Sequence, residues 1–387
     1  MIKTEKIIAI DIRLLGKKRT GDEMVFFHLT KEILKIDTAH QYLLLTDETD
    51  AKRIALVAEN LGCSRQDNVD IVSLPTKNRF VWNLWTLPRY LFHNTIDVFH
   101  TQYILPLCLP RRTRIAVHIH DVSFRAHPKL IGWSDRFFLS LLIPRSLRTA
   151  ALIIAPSQFT KDEIVKYYGI DPQKIAVVPN AIGEEFLGIV PEDPTRDRAI
   201  REKYHLPEQF IIAVGTLQPR KNIPFLIEAF AALRKRLPDM RLVLVGNRDA
   251  HHTDKHIDHT IAIHALENAV VFSGFIEEQD LPHVVRLATI CAVPSLYEGF
   301  GIPMLEAMSQ GVPVAAADIP SLREVGGEAA LYFDPASIAS CAEKLYTLSI
   351  DQKARQTLRS AGKERLVLYS WKKSAVDLLE AYVGIIR

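Results

Sequence analysis

Residues 287–308 constrain the fold more than any other stretch of this chain. An apolar run over residues 287–293 is typical of a buried parallel strand, and Gly299 and Gly301 follow shortly after it. Apolar residues then return at helical spacing from Pro303, which suits the first position of a helix because its missing N–H would have no partner there. The pattern predicts a strand, a loop and a helix, as in α/β proteins.

The loop of this unit is suited to an anion. The backbone N–H groups of Gly299, Phe300 and Gly301 would face a crevice beside a helix N-terminus, which favours negative charge. The carboxylates of Glu298 and Glu306 would instead accept hydrogen bonds from hydroxyls. A ligand that places phosphate against the backbone amides and hydroxyl groups against the two carboxylates would be a nucleotide sugar. The alternative is that both acids only complement the dipole at the helix start.

The wording of this stretch is also informative. E-G-F-G-I-P-x-L-E-A-M over residues 298–308, followed by G-V-P-V, closely resembles the Glu-x7-Glu signature of the retaining glycosyltransferases of family 4, group 1. The resemblance implies the GT-B fold, an α/β architecture in which two Rossmann-like domains face each other across a cleft that holds the ligand. It also implies that Glu298 holds sugar hydroxyls, that Glu306 holds the ribose, and that Ile302 and Leu305 contribute further contacts.

Size and composition agree with two soluble domains. The chain has 387 residues, and its net charge of +3 is far from the clustered charge of a nucleic-acid-binding protein. Four scattered cysteines without a C-x-x-C pair suggest neither zinc nor disulfides and suit a reducing cytosol. The N-terminus lacks a signal-peptide pattern, and no apolar run reaches the ~18 residues that a membrane span needs. We therefore expect a cytoplasmic protein.

The chain divides at a region of weak pattern that is rich in proline and charge. The predicted organisation is an acceptor-binding domain over residues 1–187, a linker over residues 188–208, a nucleotide-sugar-binding domain over residues 209–370, and a C-terminal helix over residues 371–387 that returns to the first domain. The return of the last helix is an implication of the family resemblance.

Adjacent cations follow the first strand of the second predicted domain. The turn G-T-L-Q-P-R-K-N begins at Gly215 and carries Arg220 and Lys221. The planar guanidinium of Arg220 and the compact ammonium of Lys221 together suit a diphosphate. A solvated basic turn is the alternative. In the resembling family the matching Arg-Lys pair contacts the donor diphosphate, so we expect catalysis without a metal or other cofactor. The sequence of this turn is most similar to that of mannosyltransferases in the family. GDP-mannose is therefore the first expectation for the donor.

Residues 115–121 predict a buried strand of the first domain. Period-two alternation puts His118 and His120 on one face, with Asp121 at the carboxyl end, where α/β sheets bind ligands. A histidine on a strand is usually a core residue, and we assign His118 to the core. The family's matching segment ends in His-Asp, which implies that His120 touches the donor sugar and handles a proton, with Asp121 beside it.

Two further positions are candidate ligand contacts. The spacing of Gly16 and Gly21 suggests a P-loop, but Asp22 and Glu23 stand where Lys-Ser/Thr is required. The family has a glycine loop here that approaches donor and acceptor, which makes Gly21 a candidate, although an ordinary surface turn explains it as well. Asn180 is the other candidate. Relatives carry Asn-Gly at that point, and with Ala181 next any positive φ must fall on Asn180 or not occur.

Two segments mix aromatic and basic residues, at positions 79–92 and 133–148. Such segments lie on membrane surfaces when they are amphipathic, or are core-facing helices with snorkelling arginines. The first alternative would be a peripheral contact with the inner face of the cell membrane. A histidine-rich stretch over residues 248–259 lacks supporting cysteines, so we expect no metal there.

The sequence therefore predicts a retaining, metal-independent glycosyltransferase that moves a hexose from a nucleotide-diphosphate sugar to a glycan or lipid-linked acceptor in the synthesis of cell-surface polysaccharide or glycoconjugate. His120, Arg220, Lys221 and Glu298 are the predicted catalytic residues. A GT-B phosphorylase or epimerase is one alternative, and the sequence lacks the cofactor lysine context of a pyridoxal phosphorylase. A sugar-binding or scaffolding subunit is another, against which the intact set of cations and acids argues.

Overall fold

The computed structural model describes residues 5–17, 21–128, 133–248 and 253–386. The chain forms two compact units. The first comprises Met1–Arg125, Ser134–Asn180 and Ser370–Arg387, and the second comprises Ala126–Trp133 and Ala181–Tyr369. The first unit thus ends at Asn180 rather than at residue 187, and residues 188–208 belong to the second unit.

The first unit is built on a parallel sheet of seven strands. Most of their apolar side chains are buried, as expected of strands covered on both faces, whereas those of the edge strand at residues 69–73 are only partly buried. In space the order is β3-β2-β1-β4-β5-β6-β7. The strands are β1 (Ile7–Asp11), β2 (Gln41–Thr46), β3 (Val69–Ser73), β4 (Val98–Gln102), β5 (Arg114–His118), β6 (Leu152–Ala155) and β7 (Ile175–Val177).

Helices lie in each connection between consecutive strands of this sheet except the one from β4 to β5, residues 103–113. They are α1 (Gly21–Ile36), α2 (Ala51–Leu61), α3 (Arg79–Val81), α4 (Leu87–His93), α5 (Ser123–Ala126), α6 (Trp133–Thr149) and α7 (Gln158–Tyr168), with a π-helical turn at Trp82–Thr86. The predicted cap of α7 is confirmed, because the Ser157 side chain accepts a hydrogen bond from the Thr160 N–H.

The second unit has a parallel sheet of six strands in the order β10-β9-β8-β11-β12-β13. The strands are β8 (Phe210–Val214), β9 (Arg241–Val245), β10 (Val270–Gly274), β11 (Ile290–Val293), β12 (Val314–Ala317) and β13 (Ala330–Phe333). The helices are α8 (Pro194–Tyr204), α9 (Ile223–Arg234), α10 (His256–Ile263), α11 (Leu281–Arg286), α12 (Ile302–Ser309), α13 (Pro320–Gly326), α14 (Ile338–Ile350) and α15 (Gln352–Leu366).

Part of the segment predicted as a linker is a regular helix. Asp193 caps α8 by accepting hydrogen bonds from the N–H groups of Thr195 and Arg196, and Pro194 occupies the first turn. The hydroxyl of Tyr204, at the end of α8, donates to the carboxylate of Asp280 over 2.8 Å. Charge and proline here therefore mark an N-capped, salt-bridged helix rather than a flexible connection.

The last helix, α16 (Trp371–Ile386), packs in the first unit, as predicted. The Trp371 ring stacks on His28 of α1 with ring centroids 5.4 Å apart. The hydroxyl of Ser374 donates to the carbonyl of Pro179 over 2.5 Å. The hydroxyl of Tyr382 forms a hydrogen bond of 2.5 Å with Nδ1 of His100 on β4. Packing against α1 and β4 explains why the C-terminal residues join the N-terminal unit.

Candidate functional site

In the second unit, the predicted donor-binding residues lie at the switch point of the sheet. Strand order reverses between β8 and β11, which are paired neighbours. Ligands of open α/β sheets bind outside the carboxyl ends of the strands at such a point. Gly215 follows β8 and Pro294 follows β11, so the two predicted motifs begin side by side.

A close backbone contact shapes the turn after β8. A Cβ atom on Gly246 would lie 2.2 Å from the carbonyl oxygen of Gly215, so only glycine allows this approach. Gly215 itself has a φ of +142°, which other residues rarely adopt. The chain continues through a single 3-10 turn, Pro219–Lys221, and Asn222 in the left-handed region leads into α9. The two predicted cations lie on that turn.

Arg220 and Lys221 converge on the carboxylate of Glu298. Nη1 of Arg220 donates to one carboxylate oxygen over 2.9 Å, and Nζ of Lys221 donates to the other. The hydroxyl of Ser295 donates to that second oxygen over 2.7 Å. The N–H of Leu296 donates to the carbonyl of Arg220 over 2.9 Å and so joins the two loops. The structure brings three of the four predicted catalytic residues into one cluster.

Electrostatics keep this acid ionised. Glu298 is only 7% exposed, and burial alone would raise its pKa. The charges of Lys221 and Arg220, with the hydrogen bonds from Lys221 and Ser295, outweigh that effect and lower the pKa of Glu298 to about 2. Glu298 is therefore a hydrogen-bond acceptor at every physiological pH.

The glycine loop leads into α12 with one difference from the prediction. Gly301 has a φ of +117°, and a Cβ atom there would lie 2.6 Å from Cδ2 of Leu322. The helix begins at Ile302, so Pro303 is the second helical residue, not the first. Its missing N–H still belongs to the first four donors, which have no partner within a helix. The prediction was one residue off because both positions tolerate proline.

Some motif side chains are turned away from solvent. Phe300 is buried and packs edge-on against Tyr369, with ring centroids 5.4 Å apart. Leu305 is wholly buried in the core of the unit, so a contact from this residue to a ligand would have to come from its backbone. Ile302 and Glu306 are half-buried.

In the first unit, His120 lies two residues beyond the end of β5. Its ring stacks on His118 with centroids 4.3 Å apart, which confirms that the two share a face. Nε2 of His120 is 2.9 Å from Oε1 of Gln102 at the end of β4. Asp121 accepts a hydrogen bond of 2.9 Å from the N–H of Ser123 at the start of α5. Gln102 was not predicted from the sequence as a partner of His120.

The acids that exclude a P-loop occupy the first turn of α1, which Gly21 begins. Glu23 accepts a hydrogen bond of 2.8 Å from the N–H of Gly16, so it closes the loop on itself. A carboxylate oxygen of Asp22 lies 4.0 Å from Nδ1 of His120. The sequence did not indicate this proximity, because the two residues are almost 100 positions apart. Lys18, Arg19 and Thr20 of the same loop lie outside the described residues.

Asn180 is buried, and its Oδ1 atom has no hydrogen-bond partner within the described part of the chain. Its φ is not among the positive values, so the left-handed turn considered for this position does not occur. Among the histidines of residues 248–259, His251 and His252 fall outside the described residues, whereas His256 and His259 lie on α10. Cysteines 63, 108, 291 and 341 are free thiols.

The aromatic and basic segments are only partly core-facing. Trp82 and Leu91 are buried, but Trp85 is 67% exposed and Leu84 is 53% exposed. On α6, Leu141 is 63% exposed. Both segments thus have a buried side, as core-facing helices do, and an exposed side with apolar residues, so both alternatives for them stay open. Within the described ranges, each helix is too short or too polar to cross a membrane.

Two family models match this chain. The model described as "Glycosyl transferases group 1" matches residues 196–365, and the model described as "Glycosyltransferase Family 4" matches residues 21–186. Between them they include every predicted site residue. The chain belongs to this glycosyltransferase family.

Known proteins resemble this glycosyltransferase over most of its length. It is 29% identical to "O-antigen chain mannosyltransferase B" of Escherichia coli, over 79% of this chain and 77% of that protein. It is 26% identical to "O-antigen chain mannosyltransferase RfbU" of Salmonella typhimurium, over 84% and 86%. The structure of Anabaena Alr3699/HepE in complex with UDP and glucose superposes with a TM-score of 0.73 at 18% identity, covering 98% of this chain and 100% of that one.

These matches confirm the predicted α/β fold class, GT-B, and the prediction of a glycosyltransferase enzyme. The roles assigned to individual site residues stay predictions.

Proposed function

We propose that this glycosyltransferase moves a mannosyl residue from GDP-mannose to a glycan or lipid-linked acceptor in the synthesis of a cell-surface polysaccharide. The observation that carries the proposal is the cluster of Arg220, Lys221 and Glu298 at the switch point of the second unit. Mannose and polysaccharide are suggested by the two relatives named as O-antigen mannosyltransferases.

The cluster suits a sugar diphosphate in two respects. Arg220 and Lys221 supply two positive charges on one rigid turn, and their side chains are only 22% and 14% exposed. Charge in such a partly desolvated place acts more strongly on a phosphate than it would in water. Glu298, held ionised beside them, is an acceptor for the hydroxyls of the attached sugar.

In the proposed reaction the bond between the anomeric carbon and the diphosphate oxygen breaks, and a bond to an acceptor hydroxyl oxygen forms on the same face. Because the new bond forms on the face that the diphosphate leaves, the configuration at the anomeric carbon is retained. The acceptor proton passes to an oxygen of the departing diphosphate. Arg220 and Lys221 stabilise the charge that develops on the diphosphate, an effect worth about 3 to 4 kcal/mol for one oriented donor. These two cations take the place that a divalent ion would otherwise have. A trapped glycosyl-enzyme adduct would contradict this route.

A thermal-shift screen tests the donor and its site. GDP, UDP, ADP and TDP are each added, with their sugars and with or without magnesium, to the wild type, Arg220→Ala and Glu306→Ala. A nucleotide at 100 times its dissociation constant should stabilise the protein by about 2.7 kcal/mol. We expect a magnesium-independent shift with GDP that both variants lose. Arg236→Ala, at an exposed pair with Glu343, is the matched control and should keep the shift.

The results separate the alternatives. A shift with another base would replace GDP in the proposal, and a shift that survives both site variants would contradict the assigned site. If none of the nucleotides stabilised the protein, the scaffolding alternative would be favoured. NMR of the first glycoside product, before further transfer, reports whether the configuration at the anomeric carbon is retained. Transfer in the presence of EDTA tests metal independence.

We also propose that the exposed apolar side chains of residues 80–92 and 138–141 contact the anionic inner face of the cell membrane. Residues 77–149 contain 11 Lys and Arg against 3 Asp, a net charge of 11 − 3 = +8 in a chain whose total is +3. Exposed apolar side chains beside such positive charge are typical of surfaces that bind anionic lipids. A lipid-linked acceptor would lie at that surface.

Vesicle sedimentation tests the contact. The wild type should pellet with vesicles that contain anionic lipid and not with purely zwitterionic ones, and salt should weaken binding. The variant Leu84→Ser/Trp85→Ser should lose most of the binding. Val367 and Leu368 are exposed apolar residues of the second unit, so Val367→Ser/Leu368→Ser is the control. Equal binding by both double variants would contradict the proposed surface.

A further inference from the structure

Three imidazole rings stack in the interior of the first unit. His100 lies on β4, His118 ends β5, and His120 follows two residues later. The ring centroids of His100 and His118 are 5.9 Å apart with planes at 8°, and those of His118 and His120 are 4.3 Å apart with planes at 18°. One column of nearly parallel rings therefore connects the sheet to the residue that we expect at the sugar.

The middle ring is the most deeply buried of the three. His118 is wholly buried, and neither of its ring nitrogens makes a hydrogen bond within the described ranges. Burial, together with the neighbouring His120 and His100, holds the pKa of His118 well below its ordinary value, so the ring is neutral. Burying ring nitrogens without hydrogen bonds carries a desolvation cost, which an aliphatic side chain would avoid. The planar ring therefore has a use other than filling space.

The third ring has a defined tautomer. Nε2 of His120 lies 2.9 Å from Oε1, the side-chain amide oxygen of Gln102. Because an amide oxygen can only accept a hydrogen bond, Nε2 is the donor and carries the proton. In the neutral ring Nδ1 is then the nitrogen with a free lone pair. Nδ1 faces the side of α1, where the nearest carboxylate, that of Asp22, is 4.0 Å away.

We infer that His118 and Gln102 are positioning residues for His120. His118 fixes the plane of the His120 ring by stacking, and Gln102 fixes its Nε2–H tautomer. Nδ1 of His120 is thereby presented as the acceptor for a hydroxyl group of the hexose. The inference deepens the proposed function and rests on it for the role of His120 at the sugar.

The tautomer is tested on the whole protein without any substrate. Long-range proton–nitrogen NMR of protein labelled in its histidine rings distinguishes the two tautomers, and the signals of His120 and His118 are assigned by their loss in single variants. We expect the neutral form of His120 to be the Nε2–H tautomer, and we expect His118 to stay neutral from about pH 5 to pH 8. Gln102→Leu should turn His120 into a mixture of both tautomers. An Nδ1–H form of His120 in the wild type would overturn the inference.

Kinetics test the stacking. His118→Leu fills the space without a ring, whereas His118→Phe retains a planar ring against His120. Val117→Ala is the matched control, because Val117 is equally buried on the same strand but points to the other face. We expect His118→Leu to lower kcat for transfer by about tenfold or more, since small misplacements of a reacting group are costly, with the acceptor KM unchanged. His118→Phe should recover most of the rate.

The losses of kcat in His118→Leu and Val117→Ala are compared with the decreases in melting temperature of the same variants. If both losses were in the same proportion to those decreases, the positioning role would be overturned. A failure of His118→Phe to recover more activity than His118→Leu would also overturn it. Transfer by His120→Ala at the wild-type rate would remove His120 from the reaction and overturn its role at the sugar. Failure of the proposed function is recognised separately, because the wild type would then transfer no sugar from any nucleotide sugar, whereas the NMR result does not depend on activity.

Discussion

Arg220 donates a hydrogen bond of 2.9 Å to Glu298, 78 residues further along the chain. Lys221 donates to the other oxygen of the same carboxylate. The acid expected at the sugar thus offsets one of the two positive charges expected at the diphosphate. A diphosphate that binds to Arg220 and Lys221 must share them with Glu298 or displace it, so donor binding and the orientation of Glu298 are linked.

This linkage predicts opposite effects of Glu298→Gln on binding and on transfer. Removing the negative charge should tighten the binding of a nucleoside diphosphate without sugar, by roughly tenfold, which corresponds to ~1.4 kcal/mol. The same variant should transfer sugar at least about 100-fold more slowly, because an acceptor that orients the sugar is lost. Isothermal titration and initial rates measure the two effects.

Ser295→Ala is the control, since it removes a neutral partner of Glu298 and leaves all three charges. Its affinity for the nucleoside diphosphate should stay near that of the wild type. Weaker binding of the nucleoside diphosphate by Glu298→Gln would show that Glu298 supports the phosphate site rather than competing for it.

The same ion cluster makes stability depend on pH. The pKa of Glu298 is about 2 in the folded protein against an ordinary 4.5, so its stabilising effect is complete above pH 4.5 and is lost as the pH falls through 2. Above pH 4.5 we expect a contribution on the order of 2 to 3 kcal/mol. The difference in unfolding free energy between wild type and Glu298→Gln should narrow by about half from pH 6 to pH 3. A constant difference in urea titrations would contradict the low pKa.

The sheets could be predicted because each strand is encoded locally. Most strands of the two sheets coincide with an apolar run, although β3 and β4 include polar residues, and the Arg-Lys turn and the glycine loop fall at strand ends by spacing alone. Helix α8 was missed although its cap, Asp193, directly precedes it, because the acid that its side chains contact, Asp280, lies far away in sequence. A charged, proline-containing helix that is stabilised by such a partner looks like a linker when only local pattern is considered.

The partners of the site residues could not be predicted for the same reason. Gln102 reaches His120 because β4 and β5 are adjacent, and Asp22 reaches it because α1 begins at the same edge of the sheet. Ser295 was passed over because a serine after a strand is common, and only the contact with Glu298 marks it. Residue type and spacing were thus sufficient to predict the charged groups of the site. The polar groups that orient them could be identified only from the folded structure.

The space around Gly301 leads us to predict that the donor loop requires glycine at this position. In Gly301→Ala the new methyl would lie 2.6 Å from buried Leu322, at a φ of +117°. We expect a loss of about 1 to 3 kcal/mol in stability and weaker binding of the donor. Gly188→Ala is the control for the backbone angle alone, because Gly188 has a φ of +96° but open space around it. If both variants lost equal stability, the clash with Leu322 would be unimportant.

The hydrogen bond between Tyr382 and His100 should stabilise the packing of α16 in the first unit. Tyr382→Phe removes the hydroxyl from a wholly buried pair, so unfolding should become easier by about 1 to 2 kcal/mol. Tyr168 provides the contrast, because its hydroxyl is buried without a partner in the described part of the chain. Tyr168→Phe should be neutral or stabilising. Melting curves of the two variants decide the point, and a neutral Tyr382→Phe would contradict it.

The last prediction concerns the attachment of α8 to α11. The carboxylate of Asp280 accepts hydrogen bonds from Arg196 over 2.5 Å, from Lys203 over 2.8 Å and from Tyr204 over 2.8 Å. Burial would raise the pKa of Asp280, but the bonds from Lys203 and Tyr204 outweigh it and the pKa is lowered. Asp280→Ala leaves all three donors without this acceptor, and we expect a loss of about 2 to 4 kcal/mol.

Glu343→Ala, which breaks the exposed pair with Arg236, should leave the melting temperature almost unchanged. Hydrogen exchange then locates the effect: amides of α8 should lose protection in Asp280→Ala while those of β8 keep it. If α8 stayed protected, its apolar contacts through Ile200 and Tyr204 would be sufficient to hold it, and the ion cluster would be dispensable.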